Sequence, residues 1–342
     1  MRGLLASFLI LAAALAAGQA RGAEAEEEAL GRGIEAAAAG RYEEALGVFG
    51  RFAGRHPAQP EGHFFRAAVY QLLKGHFDLP AYRRGLEESL ARALEAAGGI
   101  MRREPGDARA HFFAGLAHGI RAVEAMNEYR YLDALLDGRR MVALLERALA
   151  LDPGLTDAYY ALGVYRVRRA QVFWLRPFLG EDLAGGIGML RRAAEGGRWL
   201  GALARVDLVW ALYREERYDE ARRELAPLAA RYPGHPLYAL ARAEGYFLQR
   251  DYPKARAEFA ALREKLGGRA DRFSRFYGRF AQWRVARCDF ALGRFAEAGS
   301  AAREVMEAPD MNSSLLRQVR LGAADMLDRI EKESAGRRNE GG

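Results

Sequence analysis

Six histidines, one cysteine and a few adjacent carboxylates are the residues of this 342-residue chain that could carry a reaction. His111 and His118 stand seven apart, a spacing that puts both on one face of a helix, but no carboxylate lies between them at a ligand position. His56, His63, His76 and His235 form no H-E-x-x-H pair. Cys288 sits in an apolar helical stretch with no histidine near it in sequence, the setting of a buried, inert thiol. The glycines of AGGIGML, 184–190, lack the lysine and hydroxyl of a phosphate-binding loop and read as close helix packing. Glu215 and Glu216 are paired carboxylates, which do acid–base work only where a cleft separates their pKa values. These residues imply no catalytic centre, no metal and no cofactor.

Recognition chemistry is better represented. Tyr159, Arg166 and Arg169 are seven and three apart, which places them on one helical face, and Gln171, Trp174 and Arg176 follow directly. Aromatic rings flanked by guanidinium groups can hold an anionic or extended peptide through stacking and hydrogen bonds. The stretch YRYLDALLDGRR offers a second set, Tyr129 and Tyr131 with Asp133, Asp137 and Arg139. A third, RFSRFYGRFAQWR, sets Phe273, Phe276, Phe280 and Trp283 against Arg275, Arg279 and Arg284. Each set has a second use: the rings as core, the arginines as solvated stems lying along it.

Those residues need elements to hold them, and a repeated register supplies the elements. Tyr218, Ala221 and Leu225 are followed 34 residues later by Tyr252, Ala255 and Phe259. Gly40, Tyr42, Ala45, Phe49, Phe52 and Pro57 fill the same places earlier, as do Gly293, Phe295, Ala298 and Val305 later. Small residues let two helices cross closely and large ones fill the space beside them. A proline after the second helix, at Pro57, Pro105, Pro153 and Pro233, prevents its continuation. A helix pair with one apolar face cannot bury it alone, so neighbouring pairs must stack.

This register resembles the tetratricopeptide repeat, a 34-residue helix–turn–helix unit. Tyr159, Leu162 and Gly163 match the first part of its signature; Ala45, Phe49 and Pro57, and Ala221, Leu225 and Pro233, match the second. The resemblance is strong over 26–59 and 202–269 and degenerate elsewhere. It implies an all-α fold, an α–α superhelix of TPR-like solenoid type.

Pro57, Pro105 and Pro153 are each 48 apart, 34 plus 14, so the central repeats are enlarged. The added residues fall at KGHFDLPAYRRG, AMNEYRYLDALLDG and FWLRPFLGEDLAGG, where Pro80 and Pro177 each forbid one uninterrupted helix. The middle insert, without proline, can prolong a helix. Gly163, Tyr165, Pro177, Gly180 and Gly188 to Ala193 make the central part similar, loosely, to the tetratricopeptide repeat protein 39 family; that likeness implies a scaffold or adaptor, not a reaction. The expected organisation is a signal segment at 1–25 and one continuous array over 26–334. Its units are about 26–59, 60–107, 108–155, 156–201, 202–235, 236–270 and 271–311, followed by a last helix at 313–334 and a disordered tail at 335–342.

At the N-terminus Arg2 precedes an uncharged apolar run from Leu4 to Ala17 and then small residues, the layout of an export signal that is cleaved or, as the alternative, retained as a membrane anchor. Fourteen apolar residues reach ~21 Å as a helix, short of a ~30 Å hydrocarbon core. Loss of Arg2, Arg21 and Glu24 with that segment takes the formal charge from +7 to +6. A charge so small over so long a chain, without a basic tract, argues against nucleic acid as a partner. The expectation is a periplasmic or otherwise extracytoplasmic, non-catalytic scaffold for a protein or peptide. An accessory subunit of an envelope export or assembly machine, a peripheral lipid-binding protein and an enzyme built on the central inserts are the other readings, with membrane contact less favoured than a polypeptide partner.

Overall fold

The computed structural model describes residues 24–170, 183–309 and 312–340. Every regular element among them is a helix: α1 spans 24–38, and α2 Tyr42–Arg55, α3 Pro60–His76, α4 Pro80–Arg103, α5 Ala108–Asn127, α6 Tyr131–Leu151 and α7 Ala158–Ala170 follow. After them come α8 Leu183–Gly196, α9 Gly201–Arg214, α10 Tyr218–Arg231, α11 Pro236–Leu248, α12 Tyr252–Leu266, α13 Arg272–Ala291, α14 Phe295–Glu307 and α15 Ser314–Glu340. From α7 to α15 each helix packs on the next, and first helices of successive pairs also meet, α7 with α9, α11 with α13 and α13 with α15. That is the neighbour-on-neighbour packing of a TPR-like α-solenoid.

The turn inside each helix pair explains the repeated aromatic. Gly40, Tyr129, Glu216, Arg250 and Gly293 all have positive φ, between 56° and 80°. At each, the next residue's amide reaches back five positions, as from Arg217 to the Leu212 carbonyl at 3.0 Å. The left-handed residue itself bonds three positions back, as from Glu216 to Tyr213 at 3.1 Å. These paired bonds are the Schellman stop, which satisfies carbonyls that a helix end leaves bare. The second helix then starts on an aromatic at Tyr42, Tyr131, Tyr218, Tyr252 or Phe295. Three residues on stands the small one, and Ala45, Ala221, Ala255 and Ala298 are all fully buried.

The enlarged pairs lengthen their helices. α3 and α4 have 17 and 24 residues and α5 and α6 have 20 and 21, against 14 in α2, α9 and α10. Only residues 77–79 and 128–130 separate the long partners, and Pro80 opens α4, where its missing amide costs nothing. Most of the third insert, its residues 173–182 with Trp174, Arg176, Pro177 and Gly180, lies outside the described residues, as does the segment 1–23.

By its contacts the chain divides into two compact units, 1–69 with 85–154, and 70–84 with 155–342. The reason is residues 70–84, the tip of the α3–α4 pair, which pack with helices far along the chain. Phe77 is fully buried in one cluster with Phe259, Phe276, Tyr277 and Leu316. His76 Nε2 lies 2.9 Å from the Tyr277 hydroxyl, and the Asp78 amide donates to the Asn312 carbonyl at 2.6 Å. The last helix runs to Glu340. No proline interrupts 335–340 and Gly336 stands alone, so nothing stops the backbone ladder.

The first unit is centred on phenylalanines: Phe49 stacks on Phe65 at 5.1 Å, and Phe64 and Phe65 both meet Phe113, at 5.5 and 5.8 Å. In the second unit AGGIGML is the close crossing its glycines suggested. A Cβ on Gly163 would stand 3.0 Å from the Gly186 carbonyl oxygen. Cys288 is buried beside Phe276 and Val285, and burial raises its pKa to about 12, so the thiol stays protonated.

Candidate docking surface

Water touches large apolar side chains chiefly at one place. Of the twelve exposed large hydrophobic residues among those described, seven fall within 123–136: Val123, Met126, Tyr129, Tyr131, Leu132, Leu135 and Leu136. They flank the α5–α6 turn of the first unit. Helix α6 carries two apolar stripes. Ala134, Met141, Leu145 and Ala148 form the buried one, and Leu132, Leu135 and Leu136 form the other, spaced three and four apart. A helix in a stack buries one stripe, and the second is left to solvent.

The register shows how unusual that second stripe is. Leu132, Leu135 and Leu136 stand one, four and five residues after the leading aromatic. The same places hold Asp219, Arg222 and Arg223 in α10, Pro253, Arg256 and Ala257 in α12, and Ala296, Gly299 and Ser300 in α14. Reading for tyrosines and arginines alone passes over these leucines; aligning the helix pairs exposes them.

Tyr129 adds a second irregularity. It is the left-handed residue of its turn, with φ 60°, and it is 78% exposed. A side chain there costs about 1–2 kcal/mol relative to glycine, which holds the matching positions 40 and 293. Glu216 and Arg250 bear the same strain with polar groups that water accepts. Tyr129 spends it on an exposed ring that meets the Tyr131 ring edge-on at 6.4 Å.

Several of the charges around this surface are paired. Arg130 binds Asp133 at 2.6 Å and Glu128 at 3.0 Å. Asp137, nearly buried, accepts from His118 Nδ1 at 2.7 Å and is approached by Arg121 at 3.3 Å and Arg140 at 3.8 Å. Burial lowers the His118 pKa although Asp137 opposes it. Residues 121–140 hold four arginines and four carboxylates, a formal sum of zero.

The residues around Tyr159 are distributed differently. Arg192 of α8 lies 4.2 Å above the Tyr159 ring. Arg166 packs beside Gly186 of α8, and Arg169 lies over Tyr165 of its own helix at 5.4 Å. Tyr159 and Arg166 thus engage their partner helix, while the next residue, Tyr160, donates to Asp207 of α9 at 2.9 Å. Burial raises the Asp207 pKa, and the Tyr160 bond opposes that shift. On α13, Arg284 lies over Phe247 and Phe280, at 4.8 and 5.3 Å, and forms an ion pair with Glu244. That arginine is part of the packing between α11 and α13.

Among the described residues no group of three His, Cys, Asp or Glu side chains could hold a metal ion, and no helix is long and apolar enough to cross a membrane. No family model and no curated protein matches the chain. Among solved structures it is similar to PilW, titled a widely conserved type IV pilus biogenesis factor. The two share 14% identity over 70% of this chain and 92% of that one, with a TM-score of 0.44. A thermophilic TPR protein of Thermus thermophilus gives 19% identity, 65% and 99% coverage and a TM-score of 0.42. For a tetratricopeptide repeat protein of Parabacteroides merdae the values are 14%, 88%, 99% and 0.42. The helix-pair assignment rests on the turns and packing described above.

Proposed function

We propose that the chain is a non-catalytic, extracytoplasmic protein-binding scaffold, and that the α5–α6 end of its first unit docks the apolar face of a helix from a partner protein. The observation that carries this is the leucine stripe 132, 135, 136, exposed beside Tyr129 and Tyr131 where sister helices carry mostly charged or small residues. Exposed apolar patches rimmed by polar groups mark interaction sites, and aromatic residues concentrate binding energy in them. The partner's rim is neutral or polar, because Arg130, Asp133 and Asp137 already have their counter-charges. The same pairing leaves little attraction for anionic lipid headgroups. The N-terminal apolar run followed by small residues supports export. Tyr159, Arg166, Arg169, Trp174 and Arg176 remain a second proposed contact, with α7 supplying the first three.

Photocrosslinking in the producing cell tests the reading. A crosslinker placed in turn at Tyr129, Leu132 and Leu135 is expected to give one recurring polypeptide adduct, absent from a crosslinker at Arg51 and abolished by Leu136→Glu. Adducts only to lipid, or adducts indifferent to L136E, would overturn it.

A further inference from the structure

Arg139 continues the exposed stripe of α6. It stands seven residues after Leu132 and three after Leu136, so its stem lies on the face that the leucines occupy. It is exposed and has no ion pair, hydrogen bond or ring contact among the described residues. The Tyr129 ring is in the complementary condition: 78% exposed, with the Tyr131 ring edge-on to it and no cation over its face among the described residues. Ten residues separate the two along one hairpin, and a single chain does not bring them together.

Their placement is symmetric. Leu132 and Leu136 stand two residues to either side of Ala134, and Tyr129 and Arg139 five. A two-fold axis perpendicular to α6 at that level sets Leu132 against Leu136 of a second copy and each Arg139 beside the other chain's Tyr129. A parallel arrangement would instead set Arg139 against Arg139. A foreign helix with a leucine stripe would cover the apolar side chains alone. A second α6 also brings a guanidinium to each bare ring, a contact that gains strength as water is excluded.

Area and charge agree. The seven large apolar residues at this end are 46% to 78% exposed and bare on the order of 700 Å² between them. Each side of a standard interface contributes about 800 Å². The formal charges of 121–140 sum to zero, so two copies meet without net repulsion. Resting on the docking surface proposed above, we infer that its occupant is a second copy of this chain. The two α6 helices run antiparallel about the level of Ala134, with Arg139 of each chain over the Tyr129 ring of the other.

Sedimentation of the purified full chain tests the pairing, and cysteine crosslinking between two differently tagged copies tests its direction. The chain is expected at the mass of two, and Leu136→Glu at the mass of one. Arg139→Ala should weaken self-association about fivefold, and Arg51→Ala not at all. Under oxidation, Tyr129→Cys in one copy should crosslink to Arg139→Cys in the other. Two copies of R139C should not, because ten helical residues set them about 15 Å apart, beyond disulfide reach. Cys288 is buried, so the parent chain serves as the blank. A single-chain mass for the parent, or a double mass that L136E leaves unchanged, would overturn the inference. So would crosslinking by R139C alone as strong as by the Y129C and R139C pair. In the producing cell the two failures separate. A crosslinker at Leu132 that captures a different polypeptide overturns the second copy as occupant and keeps the docking surface, whereas capture of no polypeptide overturns both.

Discussion

The Tyr213 hydroxyl donates to the Ala241 carbonyl at 2.9 Å, and its ring occupies the space that a side chain at Gly245 would need. A Cβ at Gly245 would fall 2.5 Å from that hydroxyl oxygen. Tyr213 is 2% exposed and bonded at its tip, so it has nowhere to move. Gly245→Ala is expected to cost about 1–3 kcal/mol by overpacking the α9–α11 contact. Urea unfolding of the second unit should show the midpoint falling with its slope preserved.

Asp157 caps a helix from 43 residues away. Its carboxylate accepts from the amides of Arg198, Trp199 and Leu200, at 2.8, 3.0 and 2.6 Å, just before α9 begins. Burial raises its pKa and these three amides oppose the shift. Asp157→Ala should cost about 2 kcal/mol, the upper end for a lost cap, and hydrogen exchange should quicken at 201–204 first.

His235 caps α11 through Nδ1, which accepts from the Leu237 amide at 3.1 Å and must stay unprotonated to do so. Burial, with a smaller effect from His76, depresses its pKa to about 4. The folded state therefore binds fewer protons than the unfolded state between pH 6.5 and about 4. Stability from this group is full above pH 6.5 and declines as pH falls through that window, by on the order of 3 kcal/mol. His235→Asn should flatten the decline, measured as unfolding free energy at pH 7 and pH 4.5.

Phe77→Ala removes a ring wholly enclosed by Phe259, Phe273 and Phe276. A loss of about 3–5 kcal/mol is expected. Hydrogen exchange at the start of α13 should rise, with α5 and α6 unaffected, if residues 70–84 are core to the second unit alone.

The helix pairs were legible because their marks are local. Tyr218, Ala221 and Leu225 lie on one face of a single helix, and their echo at Tyr252, Ala255 and Phe259 repeats the same short-range demand. The destination of Phe77 was not legible. Its contacts lie about 200 residues away, and a single packing event leaves no period to detect. The docking surface was half legible: Tyr129 and Tyr131 stand out by type, whereas Leu132, Leu135 and Leu136 differ from ordinary core leucines only in the face they occupy. Tyr159 and Arg166 share a face as their spacing implied, but which neighbour that face meets is settled by stacking, and Tyr160 meets the next pair instead.

The lodging of residues 70–84 has a consequence for how such a chain can be cut or evolve. Tandem helical modules are ordinarily interchangeable links, added or dropped at either end with little disturbance to the rest. Here a clone starting at Leu155 would open a hole where Phe77 belongs, and deleting the α3–α4 extension would wound helices encoded two hundred codons later. The second unit is thus complete only with residues 70–84 in place.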